Sequence, residues 1–425
     1  MKDKLTIKSL AGLLLVLGIC FLARVGFQWI SLNILRFRTN YFSSVNIYGY
    51  GDIAENLAQG KGFSFGNYPT AARPPLYPVV LGLLYKTFGI RRGLGLLFQA
   101  VCDTLSCLLI FLMAERLFGS YRSALLAAFL WAVYPPGIAI THRLYPENLF
   151  ILQFCFFLYS LIKVKNEPSD INWAWWGTQL GLLFLCLSPF FLFPLVFIVY
   201  VAFRRSEGIR GFLRAAGLLT CFWALAISPW VGRNYLESGY LISGNTNAGF
   251  RLYKAQSFRF RGELRKSLMN WYREFMMLDC TAVIKRLPGP KGIREEYERD
   301  QVYQRFFFRA VKKNPARFLK GGLRNWLSFY LDLDYGWKIR SWKSFFLIFS
   351  HLSLLILSVV SLGRHRVGKR LKGTPFWLIL GYFNLIALLG KPDWREYLAN
   401  VPLLILLAVP SLVQLTGFLP ADDEI

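Results

Sequence analysis

Apolar runs long enough to cross a bilayer recur along most of this chain. Each is about 17–22 residues, the length a helix needs to span a hydrocarbon core of about 30 Å. With 55% of its 425 residues hydrophobic and 17% aromatic, the chain reads as an all-α polytopic membrane protein. In lipid every backbone amide must be bonded within the chain, which leaves helices as the spanning elements. Spans are expected at residues 9–30, 94–117, 123–141, 148–164, 172–187, 189–203, 212–231, 343–363, 374–390 and 397–417. The first follows MKDKLTIK and has no small-residue cleavage site behind it, so it reads as a retained helix rather than a signal peptide.

The formal net charge is +26. In a soluble protein that excess would point to nucleic acid. Here much of it sits in short loops, where Lys and Arg set orientation and meet anionic head groups, so no nucleic-acid partner is expected. Of the seven cysteines only Cys280 falls in a loop, which excludes a disulfide framework. His142, His351 and His365 are far apart, and no HExxH or CxxC spacing occurs, so no zinc site is expected.

The apolar run at 75–90 decides the topology. It is short, opens on Pro74-Pro75 and closes on Gly89 before Arg91-Arg92. If it lies along the interface instead of spanning, the loops at 1–8, 118–122, 163–171, 204–214 and 364–373 share one side. Those loops are Lys/Arg-rich, so that side is the cytoplasm by the positive-inside rule. This is the reading adopted, with both termini cytoplasmic in the cell (inner or plasma) membrane. Asp52, the turn at Glu147, the Ser188-Pro189 turn, the segment 232–342 and the loop at 391–396 then meet on the outer face.

Three regions follow. Residues 1–231 form a transmembrane catalytic module whose first outer loop is 31–93. Residues 232–342 form an outer-face segment, too long to be structureless in a compact protein. It carries charges and aromatics at helical spacing over 292–330, and amphipathic helices are expected there. Residues 343–425 supply the last transmembrane helices.

The stretch YGYGDIAENLAQGKGFSFGNYPTAARPPLYPVVLGLLYKTFG from Tyr48 carries the most chemistry. Asp52 stands in it as an early acid among glycines and aromatics, just beyond the first span. It is a candidate general base on an acceptor hydroxyl; the alternative is an N-cap before the helix-like run IAENLAQG. Glu147, in RLYPENLF, is either a second carboxylate of the site or an ordinary acid in a first helical turn. Arg73, before two prolines, can hold phosphate oxygens bidentately or anchor at head groups. Arg143 has the same two readings, as does Arg395 in KPDWREY; Lys391 is a weaker candidate, with Asp393 as a local partner. Tyr50, Asn234, Asn245, Asn247 and Arg251 are candidates for sugar or acceptor hydroxyls, although turn formation explains the asparagines equally well. Asp103 is an acid within a predicted span and is expected to bond backbone or Ser106 inside the bundle.

The blocks GDIAENLAQGKGF…ARPPLYPVVLGLLYKTFG, FGSYRSALLAAFLWAVYPPGIAITHRLYPENLF, PWVGRNYLESGYLISGNTNAGFRLYKA, the KKNPARF run and DWREYLANVPLLILL resemble the bacterial relatives of protein O-mannosyltransferases. These form glycosyltransferase family 39, within the GT-C superfamily. The resemblance implies a bundle of about ten helices and sugar transfer from a polyprenyl-phosphate-linked donor on the non-cytoplasmic face. It implies catalytic roles for Asp52 and Glu147 and a phosphate role for Arg395. The acceptor it implies is a hydroxyl on a lipid, glycan or protein. No cofactor is required, though two nearby acids could hold a divalent cation. The chain departs from the mannosyltransferase pattern at Ile53, where an acid pair would place a second carboxylate; the nearest acid is Glu55. A lipid or glycan transporter of the cell envelope is the competing class. That class shows inverted repeats and midplane polar sites, and neither is legible here.

Overall fold

The computed structural model describes residues 7–33, 49–164, 168–204, 208–252, 291–331, 342–362, 375–389 and 398–415. The described residues are all-α apart from one hairpin of two two-residue strands. Helix α1 spans Ile7–Asn33. Helix α2 (Tyr50–Ala58) and the strands β1 (Ser64–Phe65) and β2 (Tyr68–Pro69) precede α3 (Leu76–Phe88). Next come α4 (Arg92–Phe118), α5 (Tyr121–Ala132), α6 (Pro135–Ile140), α7 (Glu147–Lys163) and α8 (Asp170–Cys186). A 3-10 turn at Ser188–Leu192 leads into α9 (Phe193–Arg204) and α10 (Gly208–Ser238). Helices α11 (Ile293–Lys313), α12 (Pro315–Leu331), α13 (Trp342–Leu362), α14 (Phe376–Leu389) and α15 (Val401–Leu415) complete the described chain.

The expected spans map onto these helices with three of them interrupted, the run at 397–417 opening as a 3-10 turn over Leu398–Asn400. The run at 123–141 divides between α5 and α6, where Pro135 and Pro136 deny the backbone its amides. The run at 189–203 begins as a 3-10 turn opened by Pro189. Four helices of the described residues are long and apolar enough to cross a membrane: Ser9–Asn33, Arg92–Phe118, Gly208–Ser238 and Leu398–Leu415. Leu14, Leu15 and Leu22 of α1 and Leu225 of α10 point outward, as lipid-facing side chains do.

Local sequence sets the ends. Gly119 closes α4 in the left-handed region, φ 67°. Ser120 then caps α5, its hydroxyl accepting from the Ser123 amide at 3.3 Å. Ser169 and Asn172 form a capping box on α8. Gly177 and Gly181 bring α8 directly against Leu219 and Ala226 of α10, the close approach that small residues permit between membrane helices.

Helices α1 and α4 run antiparallel. Gln28 Nε2 donates to Leu96 O at 2.9 Å near one end, and Arg24 pairs with Asp103 further along. Arg24 and Asp103 are fully buried. The guanidinium also reaches the carbonyls of Cys20, Trp131 and Ala132, and Asn148 Nδ2 lies 3.5 Å from Asp103 Oδ1. Asp103 thus has a structural partner set, but Ser106 is not in it: that hydroxyl donates back to Cys102 O at 2.9 Å.

Because α1 ends where α4 begins, the elements between them start and finish at one end of the bundle. Helix α3 has 13 residues, about 20 Å, well short of a span. It folds back along the first turns of α4: Tyr77 bonds Gln99, and Leu81 and Tyr85 crowd Gly95.

Removing one member of the Arg24–Asp103 pair strands a buried charge, which costs about 3–5 kcal/mol. Arg24→Met and Asp103→Leu are each expected to lower the thermal midpoint of the detergent-solubilised protein. The double replacement is expected to lower it less than either single one. A double variant losing the sum of the two would refute the pairing.

Candidate functional site

Gly49 opens α2 in the left-handed region, φ 73°, and a side chain there would meet the Phe65 ring at 2.5 Å. Glycine is the residue that satisfies both demands. Gly49 is therefore the N-cap, and Asp52 is the third residue of the helix, in its first turn. The capping alternative for Asp52 does not describe the structure. Its side chain is 42% exposed and 3.8 Å from Arg92 Nη2, while Glu55 Oε1 accepts from Arg92 Nε at 3.3 Å. Ion pairs this exposed contribute at most about 1 kcal/mol, so Arg92 orients the two acids more than it stabilises the fold.

From α2 the site continues through aromatic rings. Tyr50 meets Tyr77 edge to face, centroids 5.6 Å apart, and the Arg73 guanidinium stands 5.7 Å over the Tyr50 ring. Burial foremost, then Tyr85, Cys102, Glu147 and Tyr50, hold the Tyr77 hydroxyl well above its ordinary pKa. It stays a donor, to Gln99 Oε1 at 2.5 Å. The same oxygen accepts the Tyr145 amide at 2.9 Å, and Gln99 Nε2 donates to the carbonyls of Thr141 and Arg143. One buried glutamine thereby fixes the turn that delivers Glu147 to the start of α7. Glu147 is 3% exposed, and beside it Cys186, at the end of α8, donates to Pro146 O.

Thus Asp52, Tyr50, Arg73, Arg143 and Glu147 gather at one end of the bundle. Arg143 Nη1 donates to the Tyr145 hydroxyl at 3.2 Å. Beside it His142 packs its ring edge to face on Phe27 and donates Nδ1–H to Ala139 O. Lys391, Arg395 and Asp393 lie outside the described residues, as does the loop at 391–396.

The remaining expected ligands are placed as loop fasteners. Asn234 is buried, its amide donating to Ile242 O at 3.0 Å. Asn245 Oδ1 accepts from the Asn247 amide at 3.2 Å, and Asn247 Nδ2 donates to Ala72 O at 2.8 Å. Arg251 is exposed in the short turn that follows, its amide bonding Asn247 O. Arg233 donates to Thr70 O and Phe63 O, both at 2.8 Å, with its guanidinium over the Phe63 and Trp230 rings.

Four residues of this end carry no flag in the sequence: Arg92, Tyr77, Gln99 and Glu296. Glu296, on α11, accepts from Thr70 Oγ1 at 2.6 Å, the Ala71 amide at 2.9 Å and Thr246 Oγ1 at 2.8 Å. Asp300, one turn on, accepts the amides of Gly249 and Phe250, both at 2.9 Å. Among the described residues no three His, Cys, Asp or Glu side chains gather to hold a metal.

Residues 72–231 match the family model for dolichyl-phosphate-mannose-protein mannosyltransferase. The match takes in Arg73, Arg143 and Glu147 and begins beyond Asp52. No curated protein matches the chain. Among solved structures it resembles the archaeal oligosaccharyltransferase AglB from Archaeoglobus fulgidus, determined with an inhibitory peptide and a dolichol-phosphate. The TM-score is 0.54 at 14% identity, over 99% of this chain and 53% of that one, so the chain spans about half of AglB's length. It also matches ArnT from Cupriavidus metallidurans, in the apo state and bound to undecaprenyl phosphate. There the TM-scores are 0.34 at 16% and 12% identity, covering 85% and 87% of this chain and 71% and 73% of those. The resemblance to glycosyltransferase family 39 is thus carried by residues 72–231, and the fold is one shared with AglB over nearly all of this chain.

Burial, reinforced by Arg143 and opposed by the bond to Ala139 O, lowers the His142 pKa from 6.5 to about 4. The unfolded chain then binds the extra proton first, so folding stability contributed by neutral His142 is lost as pH falls from about 6.5 toward about 4. The thermal midpoint should fall more steeply across that window in the native protein than in His142→Gln, and equal slopes would refute the assignment.

Proposed function

We propose that this membrane glycosyltransferase moves a sugar from a polyprenyl-phosphate donor to an acceptor hydroxyl, with Asp52 as the general base. The observation that carries the reading is the grouping of Asp52, Arg73, Arg143 and Glu147 at one end of the bundle. A half-exposed carboxylate there stands near cations suited to a phosphate. The dolichol-phosphate bound by AglB is the sugar-free carrier that a donor of this class would leave behind.

Asp52 removes the proton from the acceptor O–H as that oxygen forms its bond to the anomeric carbon. The bond from that carbon to the phosphate oxygen breaks, and the electron pair leaves with the polyprenyl phosphate. One displacement inverts the anomeric centre. The leaving group is already an anion at neutral pH and needs charge stabilisation rather than a proton, so a second acid is not required. Arg143 supplies that stabilisation, with Lys391 and Arg395 in the same role, while Arg73 holds the donor phosphate before the bond breaks. Glu147, buried among Tyr77 and Cys186, orients the acceptor side of the site. Tyr50 and Arg251 are proposed to meet sugar or acceptor hydroxyls, with Asn234, Asn245 and Asn247 shaping the loop beside them. A divalent cation is compatible with the two carboxylates, and the mechanism routes no step through one. The acceptor is a lipid, glycan or protein, and this end of the bundle faces the periplasm or exterior.

Incubation with a panel of radiolabelled polyprenyl phosphate sugars, followed by isolation of the labelled product, tests the reaction. Asp52→Asn should lower kcat by roughly 10²–10⁴-fold, the usual contribution of a general base. Arg73→Ala should act mainly on the donor KM. An Asp52→Asn enzyme with native kcat would sink the mechanism.

Orientation has its own test. In a Cys280→Ser background, a cysteine replacing exposed Lys61 should react with an impermeant maleimide on intact cells. A cysteine replacing Arg122, at the other end of the bundle, should react only after permeabilisation. The reverse pattern would place the site in the cytosol.

A further inference from the structure

Glu296 lies far from the catalytic candidates in sequence, yet it touches the loop that carries one of them. Its two carboxylate oxygens accept three donors, from Thr70, Ala71 and Thr246. Two of these belong to the short segment leading into Arg73. The Thr70 hydroxyl, besides donating to Glu296, accepts the Ala72 amide at 3.1 Å. On the other side of the segment Ala71 O takes the Thr246 amide at 3.0 Å and Ala72 O takes Asn247 Nδ2 at 2.8 Å.

Helix α11 is itself anchored so that Glu296 cannot drift. Asp300 stands four residues on, hence on the same helical face, and holds two consecutive amides of the turn after Thr246. Arg294 Nε donates to Ser238 O at 3.1 Å. Ile293 is buried in an apolar cluster with Ile53, Phe63 and Ala71. That cluster includes α2, the helix of Asp52. The same strap therefore seats both the Arg73 segment and the helix of the candidate base.

We infer that Glu296 is a positioning residue: it clamps Thr70–Ala71 so that Arg73 is presented over Tyr50, in the helix that carries Asp52. A carboxylate suits this task better than an amide, because all three partners donate and a glutamine offers one acceptor oxygen in place of two. The inference rests on the phosphate-binding role proposed for Arg73, and its test has an arm that does not.

Hydrogen–deuterium exchange of the full chain in nanodiscs reads the clamp directly. In Glu296→Ala the amides of residues 64–73 should exchange at least about tenfold faster, as local opening becomes easier, while those in the middle of α4 stay unchanged. Unchanged exchange over 64–73 overturns the clamp. The second arm is a double-mutant cycle on transfer from the labelled donor. Glu296→Ala should raise the donor KM by about tenfold and leave kcat within about threefold. Glu296→Gln should fall between it and the native enzyme.

In an Arg73→Ala background the Glu296→Ala change should add less than about twofold, because the group it positions is gone. Full multiplicative loss in that background would overturn the inference, since a general structural defect adds to any other. If Glu296→Ala does not fold, Thr70→Val/Thr246→Val removes two donors, keeps the carboxylate and reads the same two arms. Should no polyprenyl phosphate sugar be turned over by the native chain, the reaction proposal fails and the exchange arm still decides the clamp.

Discussion

The fold depends on an ion pair held where water does not reach. Arg24 and Asp103 tie α1 to α4, and the guanidinium's remaining protons go to carbonyls at Trp131 and Ala132, where α5 gives out before its prolines. Desolvating both charges is expensive, and such pairs seldom add net stability over an apolar substitute. What this one supplies is register. It fixes α1 antiparallel to α4, and so brings Asn33 and Arg92 to the same end. The described elements between them, with Asp52 and Arg73, are then accommodated at that end. Asn148 extends the network to the residue beside Glu147. Both candidate carboxylates are thus referred to one buried anchor.

Much of this was legible in the sequence. Long apolar runs name the helices, and the Lys/Arg-rich loops on one side mark the short run of α3 as one that does not cross. The breaks inside 123–141 and 189–203 were less so, because hydropathy averages over a window while a proline acts on one hydrogen bond. Asp52 was legible as a conspicuous acid in a Gly- and aromatic-rich loop. Arg92 was not, since an arginine at a span's edge looks like an orientation signal, and its role depends on α3 folding back to set it against Asp52 and Glu55. Asp103 announced itself as an acid in a span; its partner lies on another helix, a relation that local pattern does not encode.

Glu296 shows the same limit more sharply. Helix α11 offers Glu295, Glu296, Glu298 and Asp300 within two turns, and composition gives each equal standing. Only packing shows that Glu296 and Asp300 share the face turned toward the loops, while Glu298 meets the Tyr240 hydroxyl. The asparagines of 234–247 illustrate the converse. They suited sugar hydroxyls and turns equally well by sequence, and their bonds to Ile242 O and Ala72 O make them parts of the frame that shapes the site.

The placement of polar groups bears on the choice between transfer and transport. A transporter needs its ionisable groups near the midplane, facing a cavity that opens in turn to each side. Here the fully buried ion pair among the described residues is saturated: Arg24 spends its protons on a carboxylate and backbone carbonyls, and Asp103 is met by Arg24 and Asn148. Such a network locks helices together. The candidate carboxylates and cations sit instead at one end, in turns and short helices held by Gln99, Arg233 and Glu296. A donor whose prenyl tail stays in the bilayer presents its phosphate and sugar at that depth, so a site built at the bundle's end meets the reacting atoms without moving them across.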